Sequence, residues 1–337
     1  ALMNTMPWDY WGPDGEAKPD TRAVIASLEA VMAADPHHPL ALHLYIHALE
    51  ASSNAKKAEP AADRLANLVP GSGHLVHMPS HIYFRVGRYQ DSALANIRAA
   101  EVDEAYIAQC NAQGFYPALY YPHNIHFLWA SSTMQGQSAL SLDSARRVVA
   151  NVRVEQVEQF PTIQFFHTVP MLSLVRFARW EEILVEPEPH EPFAFARAIW
   201  HYGRGVAHAA LGDPEAALIE LAAIEQLEPQ VDEIFMGNVY PARDLLEIAK
   251  ALLIGEMAYR SGDAAGAVLA FEEAVAMQDA LPYTEPPFWY YPTRQSLGAA
   301  LLASDRVAEA QAVFERDLEQ YPMNGWSMFG LAEALRR

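Results

Sequence analysis

The stretch His74-Leu75-Val76-His77-Met78-Pro79-Ser80-His81 carries histidines at i, i+3 and i+7 and continues into Ile82-Tyr83-Phe84-Arg85-Val86-Gly87-Arg88-Tyr89. A helical period of 3.6 residues places all three imidazoles on one narrow stripe. Two more stripes flank it. His43, His47 and Glu50 stand at i, i+4 and i+7, and His123 and His126 at i, i+3. Seven of the thirteen histidines therefore fall between residues 43 and 126. The spacing shows that each set is coaxial; that the sets meet is an expectation.

Pro79 complicates the central stripe, because proline inside a helix removes a hydrogen bond and clashes with the preceding turn. Two geometries fit. Either a helix begins at Ser72 and kinks at Pro79, or it begins near Pro79 and leaves His74 and His77 on its approach. Pro122 raises no such conflict, since it fits the first helical turn directly before His123.

Composition favours helix and a substantial core. The chain of 337 residues is 51% hydrophobic and 19% charged, and Ala, Leu, Glu, Gln and Arg fill the segments between Pro and Gly. With 23 basic and 42 acidic residues its net charge is −19, which repels phosphate backbones and argues against a nucleic-acid partner. A single cysteine, Cys110, excludes an internal disulfide framework and a Cys-based metal site, and reads as a packing residue. No run of about 18 apolar residues is present, so no membrane span is expected. The start at Ala1-Leu2-Met3 reads as the remainder of a longer product.

Three segments end in matched positions, at Pro36, Pro70 and Glu104, 34 residues apart. Short polar turns join the amphipathic segments: Gly87-Arg88-Tyr89-Gln90-Asp91-Ser92, Gly212-Asp213-Pro214-Glu215-Ala216-Ala217 and Gly262-Asp263-Ala264-Ala265-Gly266-Ala267. This unit resembles the tetratricopeptide repeat, with degenerate copies at Arg179-Trp180-Glu181-Glu182 and Arg306-Val307-Ala308-Glu309-Ala310 and a last helix from Gly325 to Arg337. The resemblance implies an all-α, right-handed α-solenoid over residues 19–337, after an irregular, truncated lead-in at 1–18 that contains Met6-Pro7-Trp8-Asp9-Tyr10-Trp11. Insertions near 105–121, 228–242 and 279–291, rich in proline and aromatics, break the register. They read either as loops walling a groove or as patches in irregular packing.

In repeat register, His43 and His47 take the same positions as His77 and His81, and His123 and His126 follow on the next first helix. The resemblance implies that these positions face the concave groove. The histidine motif also looks like that of a bacterial group of such repeat proteins, which supplies architecture and no catalytic residue.

Imidazole suits zinc, copper, nickel and iron, and two histidines one turn apart can chelate one ion. The expected metal ligands are His43, His47, Glu50, His74, His77, His81, His123 and His126, holding one or two ions, zinc or copper. Glu256 is a possible second acid and His167 a weaker candidate. His37 and His38 read as turn residues, and His190, His201 and His208 as core or surface. Arg85, Arg294, Tyr45, Tyr83, Tyr121 and Tyr291 are candidates to line the groove, with inter-helix packing as the competing reading.

No nucleophile elbow, His-Glu-x-x-His, phosphate loop or dinucleotide fingerprint is present. The expected function is therefore a metalloenzyme, a hydrolase or, with copper, an oxidoreductase, acting on a small molecule or peptide in the groove. The alternative is a protein–protein interaction scaffold.

Overall fold

The computed structural model describes residues 3, 9–12, 15–112, 114, 116–231 and 240–337. The readings of Met6-Pro7-Trp8, of Phe115 and of Val239 lie outside the described residues, as does most of the insertion at 228–242. The described chain is all-α, with helices packed in consecutive pairs, and divides into two compact units.

The first unit gathers residues 1–132 with two short later pieces, Tyr283–Pro286 and Tyr321–Met323. It contains α1 (Pro19–Ala34), α2 (Pro39–Glu50), α3 (Glu59–Leu65), α4 (Gly73–His77), α5 (Pro79–Arg85), α6 (Tyr89–Cys110) and nearly all of α7 (Tyr121–Met134). Its core joins Leu42, Ile46 and Leu49 of α2 to Ala61, Ala62 and Leu65 of α3 and Ile82 of α5. The described lead-in packs onto this core: the Trp11 indole donates to the Ala48 carbonyl at 2.9 Å, and the Thr21 hydroxyl to the Tyr10 carbonyl at 2.6 Å.

The chain resolves the Pro79 conflict in favour of the earlier helix start, with a break. Ser72 is extended, α4 begins at Gly73, and Met78 keeps α-helical dihedrals (φ −49°, ψ −39°) before Pro79 opens α5. Pro79 has no N–H to continue the ladder, so two short helices replace one while their direction of winding persists. The Ser72 hydroxyl makes no cap; the unexpected cap is His38, whose Nδ1 accepts from the Ala41 N–H at 3.2 Å.

Buried polar contacts fix α4 and α5 against α6 and α7. Asp103 of α6 accepts from the Tyr116 hydroxyl and from the Asn124 amide of α7, each at 2.7 Å. It also lies over Gly73, where a Cβ would come within 1.8 Å of its carboxylate, so any larger residue there would push Asp103 off its partners. The Ser92 hydroxyl of α6 meets the Ser131 hydroxyl of α7 at 2.8 Å and the Ser80 carbonyl of α5 at 3.2 Å. Cys110, read from sequence as packing, is exposed, because it sits at the end of the long α6 beyond its packed turns.

The second unit holds α8 (Ser138–Ala150), α9 (Val154–Gln159), α10 (Val169–Arg176), α11 (Trp180–Val185), α12 (Ala194–Leu211), α13 (Pro214–Leu227), α14 (Ala242–Ser261), α15 (Ala264–Ala280), α16 (Arg294–Ala303), α17 (Val307–Gln320) and α18 (Gly325–Arg336). The turns read from sequence stand where expected. Gly212 and Gly262 both have φ +85°, and Asp213 and Asp263 then cap the following helices. No described helix is long and apolar enough to cross a membrane.

The degenerate repeats use other residues at the same left-handed turn. Ala178 (φ +54°) and Asp305 (φ +58°) stand where the regular copies have glycine. A left-handed L-residue costs roughly 1–2 kcal/mol, partly offset by the extra chain entropy glycine loses on folding. Ala178 is exposed, so Ala178→Gly is expected to stabilise the protein by roughly 0.5–1 kcal/mol, seen as a higher urea midpoint. A lower midpoint contradicts the strain assigned to this turn.

Candidate metal centre

Every predicted ligand but one converges in the first unit. His77 ends α4 and His81 lies one turn on, in α5; their Nε2 atoms face each other at 2.6 Å. His123, in the first turn of α7, brings its own Nε2 to 3.1 Å from that of His77. His77 and His81 are buried, and Phe127 packs against all three rings.

Neighbouring groups decide which nitrogens are free. The Asn96 amide nitrogen donates to the Ser92 carbonyl at 2.8 Å, which leaves its oxygen facing His77 Nδ1 at 2.6 Å. That oxygen can only accept, so His77 carries its proton on Nδ1 and presents Nε2 as a lone pair. Ser80 adds a hydroxyl at 3.3 Å from the same Nδ1. Glu50 does the same work twice: one carboxylate oxygen takes His47 Nδ1 at 2.8 Å, and the other takes His81 Nδ1. Fixing one ring nitrogen with an oxygen acceptor is how proteins orient histidine ligands for a metal.

The charges follow. Burial works to raise the Glu50 carboxyl, but His81 and His47 outweigh it and hold it near pKa 2. Burial works against the His81 imidazolium, yet Glu50 and Glu285 raise it to about 10. Burial, and then the charge of His81, hold His77 and His123 well below the ordinary imidazole value. Two rings with protons on Nδ1 would point lone pairs at each other across 2.6 Å, so a cation must lie between His77 and His81: a proton on His81, or a metal ion.

A second set lies alongside. His43 and His74 face each other Nε2 to Nε2 at 3.2 Å, and the rings of His43 and His47 are 4.8 Å apart. The rings are half-buried, and Tyr120, from the insertion at 105–121, stands edge-on to His74. Burial and then the neighbouring His47 lower His43 to about 3 and His74 to about 4. His74 Nδ1 is buried without a hydrogen-bond partner.

Three sets of side chains among the described residues each bring ligand atoms within 4.8 Å of one another: His43, His47 and His74; His77, His81 and His123; and His47, Glu50, His81 and Glu285. His126 is in none of them. Its ring stacks on Trp129 at 5.0 Å, and burial lowers it to about 3. Glu256 is also outside them and pairs with Arg260 on its own helix. The second acid is Glu285, 3.4 Å from His81 Nδ1. Burial, then Glu50, raise its carboxyl above the ordinary range, and its second oxygen is buried without a partner. Sequence reading missed it because it lies in an irregular segment with no period to read; the Pro-rich insertion was the one available signal.

The remaining histidines and groove candidates have structural partners. His167 contacts the Val152 carbonyl at 3.0 Å, and His201 contacts Glu220 at 2.5 Å. Tyr45 donates to Glu29, Tyr83 to Asp63 and Tyr121 to Glu104, all within 2.9 Å. Arg85 reaches the Ser52 carbonyl, Arg294 pairs with Asp279, and Tyr291 meets Ser296. These contacts tie helices together, as the packing alternative holds.

Fold and site together define a class: a helical-repeat protein with buried histidine clusters able to hold a metal. The chain matches no protein-family model and no curated protein. Among solved structures, "Structure of Naa15/Naa10 bound to HypK-THB" aligns with 97% of this chain and 43% of that one, at 14% identity and a TM-score of 0.35. This chain thus spans less than half the length of the one it aligns with, and a likeness at that level carries no functional argument.

Burying neutral histidines has a pH signature. His43, His74, His77, His123, His126 and His167 all have lowered folded pKa values. Below the unfolded value of about 6.5 the unfolded chain gains protons the folded one refuses, so stability falls as pH falls. His81 has the opposite sign: its contribution is full below about 6.5 and is lost toward its folded pKa of about 10. The six prevail on the acid side. The urea midpoint of chelator-treated protein is expected to drop from about pH 6.5 toward 4.5, before most carboxylates titrate. A midpoint flat over that interval contradicts the buried neutral rings.

Proposed function

We propose that this chain is a transition-metal protein whose metal is held by the Nε2 atoms of His77, His81 and His123, and that the metal serves an enzymatic reaction. The observation that carries this reading is that the Asn96 and Glu50 oxygens face Nδ1 of His77 and His81, which turns both Nε2 atoms toward a common point. Ligand nitrogens around a tetrahedral ion at 2.0–2.1 Å are separated by about 3.3 Å. The His77–His123 distance of 3.1 Å is close to that, and His77 and His81 reach it from 2.6 Å by a shift of well under one ångström.

Three imidazoles leave a further coordination position for water or substrate, the hallmark of catalytic rather than structural zinc. With zinc, the ion would lower the pKa of a bound water and the reaction would be hydrolysis. With copper, an all-imidazole set suits an oxidoreductase. The substrate in either case is a small molecule or peptide reaching the half-buried side of the cluster. The interaction-scaffold alternative rests on the helical repeat alone.

The test is metal content. Protein purified without a polyhistidine tag and dialysed is expected to retain zinc or copper, or to take it up, and His77→Ala and His123→Ala to lose the ion held at this trio, so that metal content falls below wild type with the helical circular-dichroism signal intact. Asn96→Leu, which removes only the group orienting His77, is expected to weaken binding by about 10–100-fold. Less than about 0.2 equivalents of any transition metal, with no uptake of added zinc or copper, defeats the proposal and leaves the scaffold.

A further inference from the structure

The Glu50 carboxylate holds His47 by one oxygen and His81 by the other, so it touches one ring from each histidine trio. Both contacts are to Nδ1, and both oxygens are thereby used as hydrogen-bond acceptors. A carboxylate engaged in this way orients ligands and is not itself one. His47 Nδ1 is taken by Glu50, and the His47 ring lies 4.8 Å from that of His43. His43 and His74 turn their Nε2 atoms toward each other at 3.2 Å, close to the spacing of two nitrogens on one ion. The independent sign is the trio itself: His43, His47 and His74 each offer one ligand atom, and these atoms lie within 4.8 Å of one another.

We infer that His43, His47 and His74 form a second metal site, so that the centre holds two ions, each on three imidazoles, with Glu50 as a shared carboxylate outside both coordination shells. This rests on the reading of His77, His81 and His123 as the first site and extends it. Two-zinc hydrolases place carboxylate or water between their ions as direct ligands. Here the carboxylate is occupied by Nδ1 protons, so whatever bridges the ions comes from solvent or substrate. The two sites differ in access: the His77 and His81 rings are buried and only His123 of that trio is half-buried, whereas His43, His47 and His74 are all half-buried. The second site is therefore the one that solvent and substrate reach first.

The experiment is a stoichiometric titration of the chelator-treated full chain with cobalt(II), whose visible absorption reports tetrahedral coordination, repeated with zinc against a chromophoric chelator. Two equivalents are expected for the wild type. His43→Ala and His74→Ala should each bind one, and His77→Ala and His123→Ala should each bind one. The altered rings at 43 and 74 are half-buried, and urea midpoints check that each variant is folded; if one fails to fold, the other carries the test. Glu50→Gln keeps one oxygen acceptor but sets an amide N–H against the other Nδ1. It should still take two ions at saturation, with the weaker step about 10–100-fold weaker than in wild type. One equivalent in the wild type, lost only in His77→Ala and His123→Ala, overturns the second site and leaves the first. Two equivalents unaffected by His43→Ala and His74→Ala also overturn it. An absent second ion in Glu50→Gln at saturating metal makes Glu50 a ligand and overturns its assigned place. No binding at all removes both readings.

Discussion

The contact on which this molecule depends is the one between the Glu50 carboxylate and two imidazoles, His47 and His81. It joins α2 to α5, it is buried, and it engages Nδ1 of each ring. A buried carboxylate is costly unless its oxygens are engaged by donors. Here both are engaged by ring N–H groups, and Glu50 is held ionised. Asn96 repeats the device for His77 with a neutral amide. Three rings from three helices thus owe their orientation to acceptors placed behind them.

The fold supplies the precision such an arrangement needs. His77 and His81 are carried by two helices with a proline between them, and that junction is held from behind by α6. Asn96 reaches His77, Ser92 reaches the Ser80 carbonyl, and Asp103 covers Gly73 while accepting from α7. His123 is in the first turn of α7, and the next residue, Asn124, donates to Asp103, the same carboxylate that covers Gly73 at the start of α4. Sites on packed helices hold their geometry better than sites on loops, and here Glu285 comes from irregular chain while Tyr120 reaches His74 from the π-helical turn Tyr116–Tyr120 that leads into α7.

Much of this was legible in the sequence, and the rest was not for identifiable reasons. The stripes at 43–50 and 74–81 come from a period fixed by backbone geometry, so the coaxial placement of their histidines follows without knowing the tertiary structure. The turns at Gly212 and Gly262 follow from glycine's freedom at positive φ and the capping of the next helix by aspartate. His126 failed because residues at i and i+3 share a helix face only to within about 60°, and in α7 that angle separates a ring at the cluster from one stacked on Trp129. Glu285 and Asn96 were not legible. The first lies in an irregular segment, and the second is one of many polar residues on α6, distinguished only by what it faces.

A packing role alone makes the cluster expensive. Six imidazoles kept neutral by burial, or paired with one buried carboxylate, cost stability that aliphatic side chains of similar volume would not, since buried polar networks contribute only when every member is satisfied. This one is not satisfied: His74 Nδ1 and a Glu285 oxygen have no partners, and His77 and His81 meet nitrogen to nitrogen. Positive charge between the facing Nε2 atoms would relieve the contact of His77 with His81. A proton relieves only the contact between His77 and His81, and leaves the face-to-face nitrogens of His43 and His74 to share another. Metal ions would relieve both at once, with nitrogen spacings that need little change, and residues that are merely expensive in a structural core would then be the ones that orient the ligands.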